Sequence, residues 1–309
     1  ENVSMNPSFA AVCGISEEEL KECFKDEIAE FATANEMDVP QALTTLKMHY
    51  DGYHFASSSP DIYNPFSLLQ ALKNQNTDAY WFGSGTPTFL IEMLRKFGMV
   101  PSQLGSLIKS SQTSFDAPSE SLNSVIPLLY QSGYITIKDY DRRSDLYMLG
   151  IPNNEVRVGL MQCLIRNYLH IQEANTIINI MTSYFLDDDI DGAFAELQKF
   201  YKTVPYCNDI DHEGHWQQML YTFFSIFGAR GDTEVHTSTG RVDMAFEFYG
   251  RLYLVEVKLD KSAAEAIKQI ELKEYDKRFA LLNLPVVKVG VNFSTKERTI
   301  TEWVVEKGE

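Results

Sequence analysis

The sequence predicts a mainly α first part, which includes a small winged-helix-like unit, followed by an α/β domain with a central mixed sheet. Helix-start signals recur up to about residue 200, and after the short β-type runs near 134–149 a longer series of β-type runs separated by turns begins near residue 233. The acidic run Asp187-Asp188-Asp189 interrupts the helical pattern before that series. We therefore predict a helical region at 1–185 and an α/β domain at 186–309.

Capping residues mark the helices of the first part. Ser16 with Glu19 forms a capping box, which predicts a helix that runs to about Ala34. Proline near a helix start predicts three further helices. They are Val39–Tyr50, Phe66–Lys73, and one that Thr86-Pro87 opens and that ends near Phe97. Residues 101–120 are rich in Ser, Gln and Pro and are predicted to be irregular.

The sequence pattern changes at about 122–152, from helical segments to a helix followed by β-type runs. A short helix containing Pro127 to Tyr130 precedes two β-type runs, Tyr134–Ile137 and Leu146–Leu149. A helix followed by a hairpin predicts the winged-helix-like unit. Such a unit binds DNA or packs as a structural module, and the lack of a basic recognition helix favours packing here.

The remaining segments give the order of the second part. Residues 155–185 predict one long helix, and the acidic run caps another that ends near Tyr201. The later elements are a helix at 211–227, strands at 233–237, 241–248 and 251–259, a helix at 262–280, and strands at 286–291 and 299–305. This alternation is typical of an α/β domain with a mixed sheet.

Composition narrows the class of protein. The chain has 309 residues and 44% hydrophobic content, enough for two domains, and it has no apolar run of membrane-spanning length. Its first residues include neither an initiator Met nor a signal-peptide pattern, so we expect a fragment of a longer chain. The scattered cysteines form no CxxC pair, which favours reduced thiols in a cytoplasmic protein: they are Cys13, Cys23, Cys163 and Cys207.

The net charge of −16 is concentrated in the first part. Residues 1–200 carry 13 Lys and Arg against 26 Asp and Glu, whereas residues 201–309 carry 14 against 17. Because contact with phosphate depends on Lys and Arg, this balance disfavours generic nucleic-acid binding by the first part and favours protein contacts there.

Three charged residues lie inside strands that otherwise have a buried pattern. Asp243 is in one strand, and Glu256 and Lys258 are in the next, after a tight turn at Tyr249-Gly250. Side chains two apart on a strand share a face, so Glu256 and Lys258 point the same way. The antiparallel turn brings Asp243 towards them, and a buried carboxylate needs a partner or a metal ion.

Two interpretations of these charges are open. One is an Asp243–Lys258 salt bridge with Glu256 solvated. The other, which we favour, is a metal site, because a second acid occurs on the same face of an apolar run. Gln269, on the following helix, is either an ordinary surface residue or part of the site, and Glu213 is either a favourable charge at a helix N-terminus or a further ligand.

Motifs for other chemistries are missing from the sequence. No Gly-x-x-x-x-Gly-Lys-Ser/Thr loop occurs, which excludes a P-loop within this chain. No Gly-x-Ser-x-Gly elbow occurs either, which disfavours a serine hydrolase.

Asp243, the Glu256-Val257-Lys258 triplet and Gln269 together resemble the PD-(D/E)XK nuclease superfamily. The stretch from about 188 to 305 is similar to the nuclease domain of a bacterial family of AAA-ATPase-like proteins, with Val242 where the motif nominally has proline. Segments of the first part resemble the region that follows the ATPase core in that family: they are Tyr50–Phe55, Tyr63–Leu69 and Tyr80–Pro87. The resemblance implies that the phosphate-binding loop and the ATPase core would precede residue 1.

The resemblance also implies roles for the site residues. Asp243, Glu256 and the carbonyl of Val257 would bind Mg²⁺, with Mn²⁺ as a substitute, and Glu213 would bind a second ion or hold a metal-bound water. Lys258 would orient or help to deprotonate the attacking water and stabilise charge on the phosphate. Gln269 would position the Lys258 end of the site or contact the phosphate.

Three functions follow from these patterns. The first is Mg²⁺-dependent cleavage of nucleic acid, with DNA favoured as the partner and no membrane partner. The second is a non-catalytic module that docks on or regulates the ATPase core. The third and weakest is DNA reading by the winged-helix-like unit.

Overall fold

The structure is a computed structural model of the 309-residue chain. It describes these residues: 5–83, 88–99, 101–117, 123–169, 174–203, 221–225, 232–237, 240–248, 250–272 and 283–308. Two compact units are present, Glu1–Leu160 and Met161–Glu309, and their division falls earlier in the chain than residue 186. The boundary predicted at 186 stays a prediction. Within the described ranges, none of the helices combines the length and hydropathy needed to cross a bilayer.

The first unit is mainly helical, as predicted. It has a 3-10 helix at Pro7–Phe9, followed by α1 (Glu17–Cys23), α2 (Lys25–Ala34), α3 (Val39–Tyr50), α4 (Pro65–Asn74), α5 (Tyr80–Gly83), α6 (Thr88–Lys96), α7 (Pro101–Gly105), α8 (Gln112–Phe115) and α9 (Ile126–Gln131). Its strands are β1 (Ile108–Ser110), β2 (Thr136–Asp141) and β3 (Leu146–Gly150).

A capping box and prolines near helix starts correctly located the starts of α1, α3, α4 and α6. The capping box of Ser16 and Glu19 is present, and α3 has its predicted bounds with a second capping box at Asp38. The single helix predicted to Ala34 is wrong, because Phe24 interrupts it with φ −123° and ψ 31°. Phe24 packs against the buried core of this unit, so tertiary packing accounts for the break.

Residues 101–117 correct another prediction. They were expected to be irregular, but they contain α7, β1 and α8. β1 pairs with β3, which lies between β1 and β2 in an antiparallel sheet. Short elements of this kind depend on a distant partner and have no periodic signal of their own. The predicted helix and hairpin are present as α9, β2 and β3, while the winged-helix-like character stays a prediction.

A buried carboxylate joins three helices of the first unit. Glu155, at the start of α10 (Asn154–Leu169), is 2% exposed. Its Oε1 accepts hydrogen bonds from the hydroxyl of Ser67 in α4 (2.8 Å) and from the backbone N–H of Trp81 in α5 (2.7 Å). Burial raises the pKa of Glu155. The unit therefore depends on polar as well as apolar contacts inside its core.

The second unit has helices around a mixed sheet. Its elements after α10 are α11 (Ala174–Leu186), α12 (Ile190–Thr203), β4 (Asp232–Thr237), β5 (Gly240–Phe248), β6 (Arg251–Leu259), α13 (Ala263–Leu272), β7 (Val286–Ser294) and β8 (Thr299–Lys307). Residues 155–185, predicted as one helix, are covered by α10 and α11, and 170–173 lie outside the described residues. Of the helix predicted at 211–227, residues 221–225 are described and helical.

The sheet order is β4-β5-β6-β7-β8, and the predicted mixed sheet is confirmed. β6 and β7 are parallel, whereas the other neighbouring pairs are antiparallel. Phe248 pairs with Arg251 around the predicted two-residue turn, where Gly250 has φ +72°. A parallel pair needs a crossover connection, and here the crossover includes α13.

Both faces of the sheet are covered. On one face, α13 packs through Ile267 and Ile270 against Ala245, Leu252 and Leu254. On the other face, aromatic rings pack together, with Phe246 stacked on Tyr253 at 5.0 Å between centroids and Phe185 of α11 at 5.3 Å from Tyr253. β6 is therefore a central strand with apolar neighbours on both sides, as its sequence predicted.

Gly290 of β7 allows α13 to lie close to the sheet. A Cβ atom at this position would meet the carbonyl oxygen of Ala263 and would lie 2.9 Å from Cγ1 of Ile267. Gly290 is also the register partner of Glu256 in β6. The helix therefore lies directly against the sheet beside Glu256.

Replacing Gly290 with alanine tests this close approach. Gly290→Ala should lower the free energy of unfolding by about 1–3 kcal/mol, because the added methyl group forces α13 away from β7. Urea unfolding measures the change. Ala264→Gln, at an exposed position of the same helix, is the control and should stay within about 0.5 kcal/mol of the wild type. Equal stabilities for Gly290→Ala and the control would contradict the predicted tight packing.

Candidate active site

β6 carries the two most informative charges to the centre of the sheet. Glu256 and Lys258 lie near the carboxyl end of this strand, with Gly290 and Asn292 as their register partners in β7. Alternation along β6 places both side chains on the face that Leu254 shares with α13. The sequence prediction that these two side chains share a face is therefore consistent with the structure.

Glu256 and Lys258 form an ion pair within the strand. The distance from Nζ of Lys258 to Oε1 of Glu256 is 2.8 Å, and their side chains are 16% and 2% exposed. The alternative in which Glu256 is solvated is therefore wrong, because this residue as a whole is 1% exposed. A carboxylate buried to this degree is costly without a cation beside it.

Gln269 of α13 completes the surroundings of the lysine. Its Oε1 accepts a hydrogen bond from Nζ of Lys258. The alternative in which Gln269 is an ordinary surface residue is wrong, since it is part-buried and bonded to the central lysine. The ammonium group is thus held between an acceptor from its own strand and an acceptor from the crossover helix.

The two other predicted acids are described less fully. Asp243 lies in β5 directly before Met244, which pairs with Val255 of β6. The backbone of Asp243 in β5 therefore lies beside that of Glu256 in the neighbouring strand β6. The side chain of Asp243 lies outside the described part of the chain. Glu213 also lies outside the described residues.

A complete metal-ligand cluster is not present among the described side chains. No three His, Cys, Asp or Glu side chains come together there in a way that could hold an ion. Of the predicted ligands, the structure describes the carboxylate of Glu256 and the backbone of Val257. Val257 as a whole residue is 5% exposed. The carboxylate and the backbone carbonyl are hard oxygen donors, the type that Mg²⁺ prefers.

Polar residues of β7 and β8 fix the connection from β6 to α13. Oδ1 of Asn292 accepts the N–H of Lys261 at 2.8 Å, and its Nδ2 donates to Thr301 at 2.9 Å. Oε2 of Glu302 accepts the N–H of Ala263 at 2.9 Å, at the start of α13. No sequence pattern predicted these roles of Asn292 and Glu302. An asparagine inside an otherwise apolar strand was the available signal for the first of them.

Comparison with known proteins gives two matches. The sequence model of the PD-(D/E)XK nuclease superfamily matches residues 211–303. That segment is a PD-(D/E)XK nuclease superfamily domain. The chain is also 28% identical, over 319 positions, to the "Uncharacterized protein in vnfD 5'region" of Azotobacter chroococcum mcd 1. The alignment covers 99% of this chain and 59% of that protein, so the chain spans less than two thirds of the length of this relative. No solved structure matches.

The superfamily match includes the central ion pair and the helix that holds it. Its range contains β4 to β7, α13 and most of β8. The sequence resemblance to this superfamily is thus confirmed for residues 211–303, while the association with an AAA-ATPase-like core stays a prediction. The individual roles of the site residues also stay predictions.

Removing the ammonium group should destabilise the second unit. Lys258→Met leaves the buried carboxylate of Glu256 without its cation and should lower the free energy of unfolding by about 3 kcal/mol. Urea unfolding near neutral pH measures this. The matched control is Lys268→Met, at an exposed position of α13 that faces away from the sheet, and it should have little effect. If the two variants are equally stable, the ion pair makes no net contribution to folding.

Proposed function

We propose that the chain is a Mg²⁺-dependent phosphodiesterase that hydrolyses nucleic acid, with DNA as the favoured substrate. One observation carries the proposal: Lys258 is held between Glu256 and Gln269 at the carboxyl end of a central strand. This arrangement lies inside the segment that matches the PD-(D/E)XK nuclease superfamily. Nucleases of this superfamily typically use divalent metal ions, which supports Mg²⁺ as the cofactor.

The proposed metal ligands are Glu256, Asp243 and the backbone carbonyl of Val257, with Glu213 as a further ligand. The donor set fits a small hard cation, because it consists of carboxylate and carbonyl oxygens. The burial of Glu256 fits as well, since a divalent ion would offset the cost of burying its negative charge. When bound, such an ion supplies Lewis acidity toward a phosphate oxygen.

Lys258 has the donors that phosphodiester cleavage requires. An ammonium group has three N–H donors, and Glu256 and Gln269 accept two of them among the described residues. The third is left for a substrate oxygen. In this proposal Lys258 orients the attacking water and stabilises the negative charge that develops on the phosphate.

Glu256 and Gln269 would fix the position of Lys258 during the reaction. Water attacks phosphorus, one P–O ester bond breaks, and the products are a free hydroxyl end and a phosphate monoester end. A long lysine side chain in solution samples many rotamers, whereas two acceptors restrict this one to a single place. Electrostatic stabilisation is effective when the donor is already in position before the reaction starts.

A cleavage assay with matched variants tests the proposal. The purified chain should cut duplex DNA in the presence of Mg²⁺ or Mn²⁺ and should stop when a chelator is added. Lys258→Ala and Asp243→Ala should each reduce the rate at least about 100-fold. Lys268→Ala, which removes an exposed positive charge from the same domain, should cut at the wild-type rate. Single-stranded RNA and DNA assayed in parallel identify the substrate class.

The site assignment fails if Lys258→Ala or Asp243→Ala cuts as fast as the wild type. A contaminating nuclease would cut DNA at the same rate in every preparation, so a loss of cutting in Lys258→Ala that Lys268→Ala does not share excludes it.

The second candidate function is a non-catalytic module that contacts an ATPase-like protein. The acidic balance of residues 1–200 supports it, because this part is better suited to protein contacts than to phosphates. Calorimetric titration with Mn²⁺ separates the two functions. Binding that is lost in Glu256→Gln supports the nuclease, whereas no binding at millimolar Mn²⁺ favours the module.

A further inference from the structure

A loop and a turn lie beside the ion pair at the same edge of the sheet. We call them the edge platform, which consists of the loop Asp260–Ser262 after β6 and the turn Thr295–Arg298 between β7 and β8. β6 and β7 are parallel, and their pairing ends with Leu259 opposite Phe293. Both segments therefore leave the sheet at the edge where Lys258 lies.

Hydrogen bonds join the two segments of the edge platform. The N–H of Asp260 donates to the carbonyl of Phe293 at 2.9 Å. The carboxylate of Asp260 accepts the N–H of Thr295 at 2.9 Å and also accepts the hydroxyl hydrogen of Thr295. Through Asn292, β7 also binds the N–H of Lys261 at 2.8 Å.

The backbone of the edge platform is strained at both ends. Asp260 has φ +50° and Arg298 has φ +56°, a region that non-glycine residues seldom adopt. The hydrogen bond from the Thr295 hydroxyl lowers the pKa of Asp260, so this carboxylate stays ionised and keeps its bonds to Thr295. Such a backbone conformation persists where surrounding contacts impose it, and the hydrogen bonds between the two segments are such contacts.

The edge platform carries more positive than negative charge. Lys261, Lys296 and Arg298 are exposed, and the opposing acids are Asp260, which is bonded to Thr295, and Glu297. Lys258, at the adjoining strand end, is paired with Glu256 and therefore adds no net charge there. The platform's excess of three cations over two acids is local, because the chain as a whole has a net charge of −16. The exposed lysines therefore provide the attractive contacts for a polyanion at this edge.

We propose that the edge platform binds backbone phosphates of nucleic acid next to the scissile bond, through Lys261 and Lys296. This inference rests on the proposed nuclease function, because that function brings a phosphodiester chain to Lys258. Phosphates recur along a nucleic-acid strand, so cations beyond the reacting position meet the neighbouring phosphates. The hydrogen bonds of Asp260 and Thr295 hold the two lysine-bearing segments in place before binding, which reduces the entropy lost on association.

The test measures binding without cleavage. The full chain is titrated with a short fluorescein-labelled DNA duplex in the presence of a chelator, and anisotropy gives Kd at several salt concentrations. Lys261→Gln combined with Lys296→Gln should weaken binding about tenfold or more and reduce the slope of log K against log salt by about 2, one unit for each lost phosphate contact.

The matched control removes the same charge elsewhere. Lys199 and Lys202 are exposed on α12, and changing both to glutamine alters the net charge equally. For this control, the slope of log K against log salt should equal that of the wild type. Thr295→Val keeps every lysine but removes the hydroxyl bond to Asp260, so it should weaken binding with an unchanged slope.

The outcomes separate this inference from the proposed nuclease function. If both double variants have the same salt slope, the edge platform does not bind phosphates and the inference is wrong, whether or not the wild type cuts DNA. If the wild type binds DNA through the two lysines but does not cut it with Mg²⁺, the proposed nuclease function is wrong, whereas phosphate binding by the edge platform is supported. If polyglutamate displaces the duplex at equal charge concentration, the surface recognises acidic proteins, and the nucleic-acid inference is overturned.

Discussion

A buried carboxylate beside an ammonium group constrains the second unit of this protein. Glu256 is almost fully buried in the central strand of the sheet, and Lys258 lies 2.8 Å from it. Burying a charge without a partner costs several kcal/mol, and a well-packed apolar pair at these positions would often be as stable. Since folding alone does not require this pair, its presence in a central strand supports a chemical role.

The ion pair depends on the packing of the crossover helix. Gln269 can reach Lys258 only because α13 lies close to β7, and Gly290 leaves room for that approach. Glu302 caps the start of the same helix. Apolar packing and polar contacts therefore both determine the position of the Lys258 amine. A small displacement of the helix would remove one of the two acceptors of this amine.

Sequence patterns predicted those elements whose signals are local. A capping box located the start of α1, Pro40 in the first turn indicated α3, and strand alternation located β5 and β6 with the turn between them. The break at Phe24 and the elements between 101 and 117 were not predicted, because they depend on a ring packing into the core and on β1 pairing with β3. The side-chain contacts of Asp243 and Glu213 stay predictions.

The sequence by itself determined which charged groups share a strand face, since alternation places Glu256 and Lys258 on one side whatever the rest of the chain does. It also determined the order of strands and helices around them. Only the tertiary structure decided which distant residues meet this pair. Gln269 meets Lys258 because the parallel pairing of β6 with β7 folds the intervening helix back over the sheet. Asn292 and Glu302 bond to the backbone that connects β6 to this helix. That arrangement results from non-local packing, which no short stretch of sequence encodes.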